Sequence, residues 1–241
     1  LLKDHLDRFY SSAAALDIKI PMEKEALGKL LTELLEQVEG QTHFVYWQVT
    51  RGAAARNHVY SEDMKGKLWV MIRPNKLKDP EQPIRLITRE DTRFYHCNIK
   101  TLNLLPSVMA SEEAAKAGAD ETVFHRGEIV TECAHSNVSI LKDGVFISHP
   151  NDNLILRGIS KTHMIQACYE LGIQVMERPF TLEELRQADE IIVTSSSNFC
   201  LHAESVDGVK AGGKDPVTLK RIQDAVIGEY LEYTGKDSIF D

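Results

Sequence analysis

Apolar residues recur at helical spacing near the start of the chain and at strand spacing soon after. Residues 2–15 have helical character. Beyond Pro21, Ala26, Leu27, Leu30, Leu31, Leu34, Leu35 and Val38 mark one face of a second helix, which Gly40 stops. The β-branched and aromatic run 43–50 predicts a strand, as does 68–72. Between them lies the loop Arg51-Gly52-Ala53-Ala54-Ala55-Arg56-Asn57-His58. Pro74, Pro80 and Pro83 then interrupt the pattern amid polar residues, which predicts a linker between a smaller domain over 1–77 and a larger one over 78–241.

The second part reads as a mixed α/β unit. A strand is expected at 84–88 and a helix over 102–117, with Pro106 near its start. Two strands joined through Arg126-Gly127 follow over 122–131, and then a hairpin turning at Lys142-Asp143-Gly144. Helices are expected over 159–171, ended by Gly172, over 181–187 and over 216–233. The run 190–194 is a strand leading into Ser195-Ser196-Ser197, and no internal repeat is visible.

Composition narrows the function classes. The 241 residues allow one large domain or two small ones, with ordinary apolar (43%) and charged (27%) fractions. A formal charge of −8 argues against a nucleic-acid binder while leaving room for a local basic pocket. No apolar run is long enough to span a bilayer and no signal-peptide pattern opens the chain. Cys97, Cys133, Cys168 and Cys200 lie far apart with no metal-binding spacing, so buried thiols in a reducing, cytoplasmic compartment and no metal are expected. The chain opens on Leu1-Leu2-Lys3 without a methionine, as part of something longer would.

Three features could carry chemistry. Gly158-Ile159-Ser160 opens a helix, where backbone N–H groups, a hydroxyl and the helix dipole suit a phosphate; a glycine turn with a serine cap is the plainer alternative. Thr194 to Ser197 place four hydroxyls at a strand end, either a ligand-binding loop or simply a polar one. Lys100 sits in the rather apolar Asn98-Ile99-Lys100-Thr101-Leu102-Asn103-Leu104-Leu105. Withdrawn from water it would be a usable amine nucleophile; otherwise its stem packs and its head reaches solvent.

In chain order, Asn98 to Leu105, Val130-Thr131-Glu132 with Ser136-Asn137-Val138, Leu154-Ile155-Leu156-Arg157-Gly158-Ile159-Ser160, and Val193-Thr194-Ser195-Ser196 together resemble four segments of the fold-type IV pyridoxal-phosphate enzymes. These are the D-amino-acid and branched-chain aminotransferases, and the similarity covers nearly the whole chain. The loop Val49-Thr50-Arg51-Gly52, with Arg56 and His58 after it, resembles the carboxylate trap of the D-specific members, which reaches in from the neighbouring subunit.

The resemblance implies a two-domain α/β fold of the D-amino-acid aminotransferase type, with pyridoxal 5′-phosphate in the larger domain and a homodimer. It implies transfer of an amino group from a D-amino acid such as D-alanine to a 2-oxo acid such as 2-oxoglutarate. Lys100 would hold the cofactor as a Schiff base and move the proton, and Glu132 would bond the pyridine nitrogen. Arg8, Ile159, Ser160, Ser195 and Ser196 would hold the phosphate, Leu156 would pack on the ring, and Arg56 with His58 would hold the substrate carboxylate. Arg93 matches an arginine near the family's active site. Two departures accompany these matches. His135, in Cys133-Ala134-His135-Ser136-Asn137, stands where a serine is usual. The family also has roughly forty residues before the segment resembling Asp4 to Arg8, so the smaller domain is expected to lack its opening strands. The alternative activities are an aminodeoxychorismate-type lyase and a branched-chain L-amino-acid aminotransferase, both disfavoured by the Arg56–His58 loop.

Overall fold

The computed structural model describes residues 1–40 and 42–239, and the chain divides into two compact units that meet in sequence between Lys76 and Leu77. In the first unit, α1 (Leu2–Ala14) and α2 (Lys24–Leu35) pack on an antiparallel pair, β1 (His43–Thr50) and β2 (Lys67–Pro74). Leu6, Leu27 and Leu31 are buried there, with Phe9, Val45, Trp47, Leu68 and Val70 against them. The alternation along β2 turns Leu68 and Val70 inward and leaves Trp69 and Met71 exposed. α2 ends at Leu35, earlier than the apolar spacing through Val38 predicted.

The second unit is built on one nine-stranded mixed sheet. Its strands are β3 (Ile84–Glu90), β4 (Glu121–Arg126), β5 (Ile129–Cys133), β6 (Asn137–Lys142), β7 (Val145–Ser148), β8 (Gln174–Glu177), β9 (Glu190–Ser195), β10 (Asn198–Val206) and β11 (Val209–Lys210). The order across the sheet is β5-β4-β3-β10-β9-β6-β7-β8, with β11 paired to β10. β3 runs parallel to β4 and to β10, and β7 parallel to β8; the other pairs are antiparallel. In this order β5 lies at the far edge from β6, yet only residues 134–136 join them in sequence. Three residues reach only about 10 Å. The sheet therefore curls back, bringing the end of β5 beside the start of β6.

The curl explains why β9 reads as an unbroken apolar run. Ile191 and Val193 join the inner core with Val123, Val138, Ile140, Phe180 and Leu185, while Ile192 packs outward with Leu141, Phe146 and Met164. That outer layer is covered by α4 (Ile159–Glu170) and α6 (Pro216–Thr234). The short α5 (Leu182–Gln187) opens on a capping box between Thr181 and Glu184. Asp143 and Gly144 both take positive φ at the β6–β7 turn, as a tight hairpin requires.

The elements depart from the sequence pattern in places. α3 (Leu105–Lys116) starts three residues later than the pattern suggested, because Pro106 serves in the first turn and residues 102–104 stay outside it. β8, β10 and β11 were not anticipated: β8 and β11 are only four and two residues long, and along the nine-residue β10 polar residues such as His202, Glu204 and Ser205 interrupt the apolar pattern. Ser196 and Ser197 form the turn of the β9–β10 hairpin, so the hydroxyls at the strand end sit at a hairpin tip.

Candidate active site

The curl of the sheet assembles a buried polar centre around Glu132, the penultimate residue of β5. One carboxylate oxygen accepts from the Arg93 guanidinium at 2.5 Å. The other accepts from the Asn137 side-chain amide at 2.9 Å and the Leu156 backbone N–H at 3.0 Å. Asn137 opens β6 and also donates to the Leu156 carbonyl at 3.0 Å, fixing the segment that enters α4. Burial pushes the Glu132 carboxyl up to about 7, against the Arg93 charge and the Leu156 N–H that favour its ionised form.

Arg93 is itself held by a second carboxylate. Asp91 lies at the end of β3 with its side chain fully buried, and it accepts from Arg93, Arg126 and Thr131. Burial opposes ionisation of Asp91, yet these donors, Arg93 foremost, keep it below the usual carboxylate range. Burial likewise opposes the charge on Arg93, but Asp91 and Glu132 hold its pKa above the ordinary value.

At the other end of the segment, Gly158 caps α4 in extended conformation with no side-chain cap. A Cβ there would fall 1.9 Å from Asn137 Oδ1, so only glycine lets the helix start sit this close to β6. Ser160 does not cap the helix. Its hydroxyl donates to the Ser195 carbonyl at 2.8 Å and joins the helix start to the end of β9. Ile159 and Ser160 are buried, Ser195 is half-buried, and Ser196 is exposed at the hairpin tip. Thr194 stands opposite Asn137 in the β6–β9 pairing, and its buried hydroxyl has no hydrogen-bond partner among the described residues.

Lys100 occupies the irregular stretch between β3 and α3, and its side chain is exposed. The withdrawal from water read from its apolar neighbours is not present, because Leu102, Leu104 and Leu105 themselves face outward. The stretch is anchored three residues earlier, where the buried Cys97 donates its N–H to the Asn153 carbonyl at 3.0 Å. His135 turns to Glu121, with Nδ1 2.9 Å from a buried carboxylate oxygen that also accepts from Ser136 at 2.6 Å. Arg8, on α1, and Arg56 and His58, exposed in the 51–66 connection, belong to the first unit. In that connection the Arg51 guanidinium stacks 3.5 Å from the Tyr60 ring centre and donates to the Leu16 and Asp17 carbonyls.

These residues fit a phosphorylated heteroaromatic cofactor. A carboxylate offers about four acceptor positions; the protein fills three on Glu132, leaving one for a ring N–H. A helix start with an N-cap glycine and an orphaned threonine hydroxyl nearby supply donors suited to a phosphate. The polar residues that sequence reasoning missed are Asp91, Glu121 and the donor role of Asn137. Asp91 follows Glu90 in a charged stretch that reads as solvated surface, and no local signal marks it as buried.

Comparison with known proteins agrees. The Listeria monocytogenes serotype 4b D-alanine aminotransferase is 43% identical over 224 residues, covering 90% of this chain and 78% of that protein. The Bacillus licheniformis D-alanine aminotransferase is 35% identical over 239 residues, covering 98% and 84%. Among solved structures, a T.th. branched-chain amino acid aminotransferase with pyridoxamine 5′-phosphate superposes with a TM-score of 0.84 at 25% identity, covering 97% of this chain and 81% of that one. The model of the amino-transferase class IV family matches residues 1–206, and the chain belongs to that family.

Proposed function

We propose that this chain transfers an amino group from a D-amino acid of the D-alanine type to a 2-oxo acid such as 2-oxoglutarate, with pyridoxal 5′-phosphate as its cofactor. The observation that carries the reading is the buried Glu132, ringed by N–H donors and left with one acceptor position, beside a helix start able to take a phosphate. The D-alanine specificity follows the relatives, which are 35% and 43% identical and carry that name. When bound, the cofactor supplies an electron sink that lets a proton leave the substrate Cα.

The chain's own residues divide the remaining work. Glu132 keeps a proton on the pyridine nitrogen, and Arg93 with Asn137 holds that carboxylate in place. Leu156 packs on a ring face. The Ile159 N–H, Ser160, Ser195, Ser196 and Arg8 hold the phosphate. Lys100 would hold the cofactor and, once the substrate amine has displaced it, its freed Nζ would take the proton from the substrate Cα. Arg56 and His58, supplied by a second copy, hold the substrate carboxylate. This division places a smaller domain over 1–77 and the cofactor-binding domain over 78–241.

A homodimer is supported by the apolar side chains that Leu102, Leu104, Leu105, Val108 and Met109 expose at and before the start of α3. Four buried free cysteines favour the cytoplasm, and no helix among the described residues is long and apolar enough to cross a membrane.

The test is an absorption spectrum of the protein with added pyridoxal phosphate. A visible band that Lys100→Ala abolishes, and that D-alanine but not L-alanine bleaches, is expected. No band would overturn the cofactor assignment, and a band unmoved by D-alanine would favour the lyase or the branched-chain enzyme.

A further inference from the structure

Lys161, in the first turn of α4, is only 1% exposed. A cation there opposes the helix dipole. An apolar residue filling the same volume would avoid the cost of burying a charge. Packing and helix formation therefore do not account for it. Its ammonium reaches away from the helix and donates to the His149 carbonyl at 2.5 Å and to Asn151 Oδ1 at 3.3 Å, with Glu177 more distant at 3.9 Å. Burial lowers its pKa to about 8.

The 149–156 segment that it grips is where the candidate site is tied together. His149 bonds the Val130 carbonyl of β5 through one ring nitrogen at 2.9 Å and Asp152 through the other at 3.1 Å. Asp152 accepts the Leu154 N–H at 2.8 Å, and the Leu154 carbonyl accepts from Arg93 at 3.1 Å. Leu156 gives its N–H to Glu132. Asn153 meets the approach to Lys100 twice, through the Cys97 N–H at 3.0 Å and the Tyr95 carbonyl at 3.1 Å.

We propose that Lys161 is a positioning residue, whose buried ammonium anchors the 149–156 segment and thereby aligns the Glu132 carboxylate with the stretch that carries Lys100. The assignment rests on the cofactor reading above for its effect on binding, but the anchoring itself belongs to the protein alone. The charge also acts through space. The charged groups that act on the ammonium are Glu177 on β8, Asp152 in the segment, Glu132 across the site, and Arg157 before α4. Since Glu132 favours the charged lysine, the lysine reciprocally favours the ionised carboxylate.

The experiment compares wild type, Lys161→Met and Lys161→Arg. In cofactor-free protein, Lys161→Met is expected to speed amide exchange at Leu154 and Leu156 while the melting temperature stays close to wild type. Its affinity for pyridoxal phosphate should fall about tenfold, the scale on which outer contacts tune a bound group. The pH profile of the absorption band should move to higher pH as Glu132 loses a favourable charge, and Lys161→Arg should restore most of each property. Unchanged exchange and affinity in Lys161→Met would overturn the proposal while leaving the cofactor reading intact. A wild type that never takes up pyridoxal phosphate would defeat that reading instead, and the exchange data would still decide the anchoring. Should Lys161→Met fail to fold, Asn151→Ala removes one acceptor at an exposed position; wild-type exchange and affinity in that variant would equally overturn it.

Discussion

His135 and Glu121 show how one substituted position alters local electrostatics. The hydrogen bond to Glu121 raises the His135 pKa above 6.5, with burial pulling the other way. A base whose folded-state pKa is raised adds stability that is complete below its unfolded value. That contribution is lost as the pH climbs through the higher folded value. The imidazole is more than half exposed, so solvent screens the pair and the effect on stability is small. An NMR titration should place His135 above 6.5 and bring it down in Glu121→Gln; a wild-type value at or below 6.5 would remove the pair from the account. The position of His135 was legible in the sequence as a departure, but its partner was not. Glu121 sits fourteen places earlier at the start of β4, and the β4–β5 pairing brings it to the 134–136 connection that holds His135.

Elements were legible where one periodicity covered a whole segment. α1, β1 and α6 lie within a residue of where the pattern puts them. β10 was missed because polar residues, His202, Glu204 and Ser205, interrupt its apolar positions, although Leu201 and Ala203 join the inner core and Cys200 the outer. The start of α4 was identified from its glycine and serine, yet the reason for the glycine is tertiary. Gly158 has ordinary negative φ, and what forbids a side chain is Asn137 on a neighbouring strand. Gly158→Ala should displace Asn137 from Glu132 and cost about 1–3 kcal/mol, as overpacking does. Urea unfolding measures that cost, and cofactor titration should show weaker binding. A variant as stable and as tight-binding as wild type would mean that the helix start has room to spare.

At the scale of the molecule, the proposed dimer makes the sharpest demand. The α3 side chains Leu105, Val108 and Met109 are each more than half exposed, an apolar surface that favours association. Sedimentation of the protein should give a dimer at micromolar concentration, and Val108→Asp should shift it toward monomer with loss of D-alanine turnover. A wild type that sediments as a monomer while turning over D-alanine would refute both the dimer and the shared carboxylate trap.

The chain's own order of residues determined a good deal. Local periodicity and glycine punctuation sufficed to place most helices and to expect a mixed α/β fold, while Glu132 was proposed through the resemblance of four ordered segments to a known family. Such features depend on neighbours a few residues apart, where backbone geometry is set by side-chain shape and hydrogen-bonding habit. The tertiary structure alone decided that the sheet curls, that Glu132 meets Arg93, Asn137 and Leu156, that Asp91 is buried beneath them, and that Lys161 points into the 149–156 segment. Most of these join groups 12 to 39 residues apart, and burial then converts ordinary carboxylates and amines into strongly coupled ones. Even where two partners are near in sequence, as Glu132 and Asn137 are, only the closed fold turns them toward each other.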